Sequence, residues 1–309
     1  MNPFPDYIPS GVIPAILLPF NDDLSIDESG FRLHLRDVAS VKGISALTLN
    51  AHSTEVASCT FEEQRDVLDI AYEEIGGRIP IINGVYAEGS IEAGKIAHMA
   101  TKGGASALLV FPPGPFTMGH SADMVITHFR CIAENTDLPL IAFEYAANSP
   151  QSYPLETLKA LCDAVPTVRA IKDWISSPAQ HQNHINVLQL RQPPVHVLTT
   201  HSAWLFSSLV MGCHGLISGS GSVIASLQAE LFEAVQINDL VKAKSLHERI
   251  TFTADVFYAS PWIDMHNRMK EALVMMGRFP RAVVRPPLVR ISETERNRIR
   301  LAITSAGLL

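Results

Sequence analysis

Residues Val168-Arg169-Ala170-Ile171-Lys172-Asp173-Trp174 form a short apolar run that delivers a lysine at its C-terminal end. Burying an ammonium is costly, and a lysine drawn into apolar surroundings tends to shed its proton instead. The neutral amine is a nucleophile, and its characteristic reaction is Schiff-base formation with a carbonyl. Lowering such an amine from about 10.4 to about 7 to 8 costs roughly 4 kcal/mol, supplied by apolar surroundings or cationic neighbours. The competing reading is a lysine that emerges into solvent where a strand ends and pairs with Asp173.

Only a large, well-packed scaffold can hold an amine in this way. The chain has 309 residues, 47% of them hydrophobic and 18% charged, enough for one barrel-type domain with additions or for two ordinary domains. A net charge of -7 argues against nucleic-acid or anionic-membrane partners. Arg278, Arg281, Arg285 and Arg290 do cluster, but over a Pro-rich loop that suits a solvated or intersubunit role. The cysteines, Cys59, Cys131, Cys162 and Cys213, are far apart without CxxC spacing and read as reduced thiols. The start of the chain carries no signal-peptide pattern and no apolar run reaches the roughly 18 residues that span a bilayer, so the expected location is cytoplasmic. No metal or other cofactor is expected: His181 and His184 sit on what reads as a polar helix remote from strand ends, with no carboxylate cluster.

Apolar strand-like runs recur at residues 12–18, 44–50, 79–85, 107–111, 138–145, 168–172, 195–199 and 215–218. Helical patterns follow each in turn, at 27–41, 60–75, 88–102, 122–134, 155–164, 179–190, 203–211 and 224–237. Thr60 with Glu63 is a capping box, and Gly103-Gly104 stops the third helix. Eight β-then-α units without a linker predict an α/β fold, a (β/α)8 TIM barrel over residues 1–238. Three further helical patterns, 240–258, 265–276 and 293–305, predict a C-terminal helical extension over 239–309.

In such a barrel the chemistry collects on the loops after the strands. That rule selects Asn50, His52, Ser53, Thr54 and Glu55 after the second strand, Asn83 after the third, and Phe143, Glu144 and Tyr145 at the fifth. It also selects Lys172 and Asp173 at the sixth, Thr199, Thr200 and His201 after the seventh, and Ser218, Gly219, Ser220 and Gly221 after the eighth.

From about Gly11 to Leu309 these landmarks resemble the dihydrodipicolinate synthase/N-acetylneuraminate lyase family of lysine-dependent barrel enzymes. They are Ser53-Thr54-Glu55 followed by Thr60-Phe61-Glu62-Glu63, Ile171-Lys172, Gly215-Leu216-Ile217-Ser218-Gly219-Ser220, and Val284-Arg285-Pro286-Pro287-Leu288. The resemblance implies a Schiff base between Lys172 and pyruvate or a related 2-oxo acid, with no cofactor, in a homo-oligomer, tetramer or dimer. It implies carboxylate binding by Ser53 and Thr54, a loop-fixing role for Glu55, and substrate contact by the turn Ser218, Gly219 and Ser220. The expected reaction is aldol cleavage or condensation. The alternatives are a hydro-lyase acting on 2-keto-3-deoxy sugar acids, dihydrodipicolinate synthase proper, and a binding paralogue without turnover.

Several positions depart from the family pattern. Phe143 stands where many members carry a proton-relaying tyrosine; Tyr145, two residues on, could return a phenol to the same face if the strand persists. His52 replaces a usual hydroxyl and becomes a candidate acid/base with a pKa in the useful range. Pro112-Pro113-Gly114-Pro115-Phe116 lacks the second tyrosine, and residues 146–153 lack the arginine that meets a second substrate's carboxylate. With Phe111, Phe116 and Phe143 nearby, the rim suggests a second substrate, or leaving aldehyde, more apolar or aromatic than a sugar.

Overall fold

The computed structural model describes residues 2–309; Met1, part of the lead read for a signal peptide, lies outside them. Eight parallel strands, β1 (Gly11–Pro14), β2 (Leu47–Leu49), β3 (Ile81–Val85), β4 (Ala107–Val110), β5 (Leu140–Glu144), β6 (Val168–Asp173), β7 (His196–Thr199) and β8 (Gly215–Ser218), form one sheet. They pair in the order β1-β8-β7-β6-β5-β4-β3-β2. Parallel bridges Val12–Ile44 and Ala15–Thr48 bring the two ends together, so the sheet closes as the expected (β/α)8 barrel.

Between the strands run α1 (Glu28–Ala39), α2 (Phe61–Ile75), α3 (Ser90–Lys102), α4 (Ala122–Ala133), α5 (Leu155–Ala164), α6 (Pro178–Leu188), α7 (Leu205–Val210) and α8 (Gly221–Gln236). Their starts follow local chemistry. Asp27 accepts the Gly30 amide at 3.0 Å, and the Thr60 and Glu63 side chains each accept the other's backbone N–H, at 3.2 and 2.9 Å. Alternation along the strands divides the apolar side chains into two cores. Ile13, Ile82, Leu109, Ile141, Ala170 and Leu198 are among those that fill the barrel interior, while a larger cluster lies between strands and helices.

Helix α8 begins three residues before its apolar periodicity does. Gly221 packs so close to β1 that a Cβ there would lie 2.8 Å from Pro14 Cα, and Ile224 carries a kink at φ -115°, ψ 33°. The periodic pattern is set only beyond that kink.

The C-terminal helices α9 (Leu240–Phe257), α10 (Met265–Met275) and α11 (Glu293–Ser305) pack on α8 and on one another. Two buried cations on α10 order this segment, and one of them ties it to the barrel mouth. Arg268 donates to the carbonyls of Phe257, Ala259 and Pro261 at 3.3, 2.7 and 3.2 Å, and to Glu295 at 2.6 Å, ordering the chain between α9 and α10. Lys270, fully buried, donates to Glu55 in the loop after β2 and to the Val283 carbonyl at 2.8 Å. Glu55 sits in the left-handed region (φ 53°, ψ 40°) at the joint of two short 3-10 turns, a conformation costly for a residue with a side chain. Besides Lys270 it accepts the Arg285 backbone N–H at 3.2 Å, so the loop-fixing role read from sequence involves one backbone donor and a buried lysine as well.

Removing one partner of a buried ion pair leaves an uncompensated charge. Lys270→Met should therefore lose about 3 to 5 kcal/mol of stability, and adding Glu55→Gln should restore part of it. Urea-unfolding midpoints of the two variants check this; equal losses would mean that the pair is not coupled.

Candidate active site

Strand β6 sorts its residues by alternation. Ala170 and Lys172 face the barrel interior, and Ile171 and Asp173 face the helices. Lys172 is level with Phe143 on β5 and Leu198 on β7. Its side chain is 6% exposed, and Nζ lies 3.8 Å from the centroid of the Phe143 ring. A ring face attracts an ammonium but is no counterion. Burial accordingly lowers the Lys172 pKa to about 7.

The expected alternative, a Lys172–Asp173 pair, is absent because the two side chains leave the strand on opposite faces. Asp173 Oδ2 accepts from His181 Nδ1 at 2.8 Å and His184 Nδ1 at 2.9 Å, and Oδ1 accepts the Ile175 N–H at 2.8 Å. Burial would raise this carboxyl, but the two imidazoles outweigh it and hold it below its ordinary range. Burial opposes a charged His181 likewise, yet the hydrogen bond to Asp173 prevails and raises it to about 9. His181 and His184 are therefore neither polar-surface residues nor remote from the strand ends, as the sequence suggested. Both are buried directly behind the lysine. Among the described residues no group of three or more His, Cys, Asp or Glu is placed to hold a metal ion.

Tyr145 lies one residue beyond β5, its ring centroid 4.7 Å from that of Phe143, and its hydroxyl is 3.4 Å from His52 Nε2. The phenol thus returns to the face of the missing tyrosine. Burial, reinforced by Tyr86, pushes its pKa above the ordinary value, so it stays protonated. His52 packs 4.8 Å from the Phe111 ring. Burial first, and the positive charge of Lys172 second, lower it to about 3. This corrects the expectation of a histidine titrating near neutrality: His52 is a neutral hydrogen-bonding partner of Tyr145.

Lys172, Phe143, Tyr145, His52, Ser53 and Gly219 share the wall of one cavity of about 590 Å³. Ser53 Oγ donates to the Gly219 carbonyl at 3.4 Å, tying the loop after β2 to the turn after β8. Gly219 also lets Tyr258 come close, since a Cβ there would lie 3.1 Å from the Tyr258 hydroxyl. Thr54, Ser218 and Ser220, expected among the substrate contacts, stand one layer behind the wall. Thr54 Oγ1 accepts the Ala51 N–H at 2.8 Å, shaping the turn. Ser218 Oγ accepts Gln228 Nε2 at 2.7 Å, and the Ser220 N–H donates to Tyr258 Oη at 3.0 Å.

Thr200 and His201, selected from the sequence, also line the wall, but its tryptophans and its C-terminal part were not foreseen. Trp174, Trp204 and Trp262, all the tryptophans of the chain, line it, with Tyr258 and Met265 from the C-terminal helices and Asp255 at the rim. His201 also lines it, stacked on Trp204 at 4.2 Å and accepting the Ser176 N–H at 3.2 Å; burial lowers its pKa to about 4. Only the concentration of aromatic residues near strand ends and around residues 258–262 could have signalled this wall.

Comparison with known proteins places the chain. The Dihydrodipicolinate synthetase family model matches residues 8–306. The 4-hydroxy-tetrahydrodipicolinate synthase of Gluconacetobacter diazotrophicus is 28% identical over 303 residues, covering 97% of each chain. The putative 2-dehydro-3-deoxy-D-gluconate aldolase YagE of Escherichia coli K12 is 24% identical over 300 residues, again 97% of each. The crystal structure of YagE, in complex with pyruvate, has a TM-score of 0.89 at 24% identity and covers 97% of this chain and 99% of its own. That of dihydrodipicolinate synthase from Thermotoga maritima has a TM-score of 0.88 at 22% identity, covering 98% and 100%. These structures share the barrel fold, and the family model spans nearly the whole sequence: the chain belongs to the dihydrodipicolinate synthetase family.

Proposed function

We propose that this protein is a class I lyase in which Lys172 forms a Schiff base with pyruvate or a closely related 2-oxo acid, making or breaking a carbon–carbon bond at C3. The observation that carries the reading is the Lys172 amine, buried without a counter-charge and lowered to about 7. At that value about half the amine is neutral and nucleophilic at pH 7. The pyruvate complex of YagE supports the choice of ligand.

Nζ attacks C2 of the oxo acid, and loss of water gives an iminium that draws electrons from C3. Loss of a C3 proton then gives an enamine, which adds to an aldehyde carbon; in the opposite direction the same iminium accepts the electrons of the cleaved bond. The Tyr145 phenol, kept protonated by burial and placed against neutral His52, gives and takes the proton of the new hydroxyl. Ser53 and the turn shaped by Thr54 receive the substrate carboxylate, and the turn Ser218-Gly219-Ser220 backs the opposite side. The condensation of dihydrodipicolinate synthase proper is less well supported, because among the described residues no arginine lines the cavity. A homo-oligomer, dimer or tetramer, is supported by the exposed Met118 and Met124, in the loop after β4 and at the start of α4. A cytoplasmic location is supported by four free thiols, which suit a reducing compartment.

Borohydride reduction in the presence of pyruvate should leave an adduct on Lys172, read by peptide mass spectrometry, and Lys172→Met should abolish both adduct and turnover. Because the neutral amine reacts, the trapping rate should rise as pH increases through about 7 and then level off. A rate still climbing steeply between pH 9 and 10 would mean an ordinary lysine. Tyr145→Phe should lower kcat for carbon–carbon bond formation about 100-fold, the lower range of general acid–base contributions. An unchanged kcat would remove Tyr145 from the proton path.

A further inference from the structure

Aromatic rings form one side of the cavity above Lys172, while Ser53, Ser176, Thr200 and Ser202 line other parts of it. Phe143, Tyr145, Trp174 and Trp262 follow one another with centroid separations of 4.7, 5.7 and 5.2 Å, a continuous aromatic face rising from the amine to the surface. Trp262 at its top is 52% exposed, and Trp204 stands on another part of the wall. Exposed indole placed at a cavity mouth is surface left for a partner to cover.

The charges around the cavity exclude other occupants. Lys172 is its only lysine or arginine among the described residues, and Asp255 stands on the wall. His52 and His201 are neutral near pH 7. Once Lys172 carries the 2-oxo acid, an anionic second substrate meets no cation and faces a carboxylate. Arg285 cannot serve, since its guanidinium is committed to Glu63 at 2.7 and 2.6 Å and to backbone carbonyls. A polyhydroxy chain lying along Tyr145, Trp174 and Trp262 would set hydroxyls against ring faces there, away from Ser53, Ser176, Thr200 and Ser202. The volume of about 590 Å³ holds a ring in addition to a three-carbon acid.

The geometry points to a neutral aromatic aldehyde as the second substrate, its ring stacked along Trp174 and Trp262 and its carbonyl carbon directed at the enamine on Lys172. This rests on the Schiff-base reading above. In the addition, C3 of the enamine forms the bond to the aldehyde carbon. The carbonyl π electrons move to oxygen, which takes a proton from Tyr145. Water then hydrolyses the iminium, releasing the Lys172 amine and a 4-aryl-4-hydroxy-2-oxobutanoate. No oxidant or reductant enters, and the reverse path is the aldol cleavage of that product.

With pyruvate as donor, kcat/KM for benzaldehyde should exceed that for glyceraldehyde and for succinic semialdehyde by about tenfold or more, the scale set by one well-placed aromatic contact. Calorimetric titration of the full chain with 2-naphthylmethanol, which has no carbonyl and cannot form an imine, reports the aromatic site separately. Lys172→Met should keep that binding, and Trp262→Ala should weaken it about tenfold. Failure of pyruvate trapping with 2-naphthylmethanol still bound would overturn the Schiff-base reading and leave the aromatic site standing. Trapping without 2-naphthylmethanol binding, binding indifferent to both Trp262→Ala and Trp174→Ala, or a preference for glyceraldehyde or succinic semialdehyde would overturn the present inference.

Discussion

The structure depends on keeping an amine out of water without giving it a counter-charge. A shift of Lys172 from its ordinary value to about 7 corresponds to roughly 5 kcal/mol of discrimination against the ammonium form. One carboxylate within about 4 to 6 Å would cancel it. The carboxylate next in sequence, Asp173, is turned away by strand alternation and engaged by His181 and His184. The ring of Phe143 covers the amine without offering it an acceptor. The negative charge nearest in sequence to the nucleophile is thus neutralised on the far side of the sheet, where it also fixes, through the Ile175 N–H, the turn that begins at Trp174.

Periodicity and local capping made the barrel legible. Eight short apolar runs, each followed by an amphipathic stretch, leave few closed arrangements, and the Thr60–Glu63 box is visible three residues apart. Lys172 was legible because a lysine ending a buried run is chemically out of place. What stayed hidden depends on distance through space. Nothing local marks His181 and His184 as buried partners of Asp173, because α6 is otherwise rich in Gln and Asn. The depressed pKa of His52 arises from rings contributed by β4 and β5 and from Lys172 on β6, none of which its own loop reveals. Thr54 and Ser220 carry suitable hydroxyls at suitable positions, yet hydrogen-bond geometry commits the one to its own turn and places the other behind the wall.

The C-terminal helices were read as an addition to a finished barrel, but their side chains complete the cavity. Tyr258 receives the Ser220 N–H, Trp262 extends the aromatic face from Trp174, and Arg268 orders the segment between them by gathering its carbonyls. A (β/α)8 barrel supplies a floor and inner loops. Here the height of the cavity, and the character of whatever fills its upper half, come from outside the eightfold repeat.

The Glu55–Lys270 contact joins residues 215 positions apart in sequence. The loop beside the nucleophile therefore has, among the described residues, its only cationic partner for Glu55 on a helix that follows all eight strands. The same tie governs recombination between relatives. A crossover near residue 238 that exchanges the C-terminal helices must carry a matching partner for Glu55, or the hybrid inherits a stranded carboxylate beside its own reaction centre.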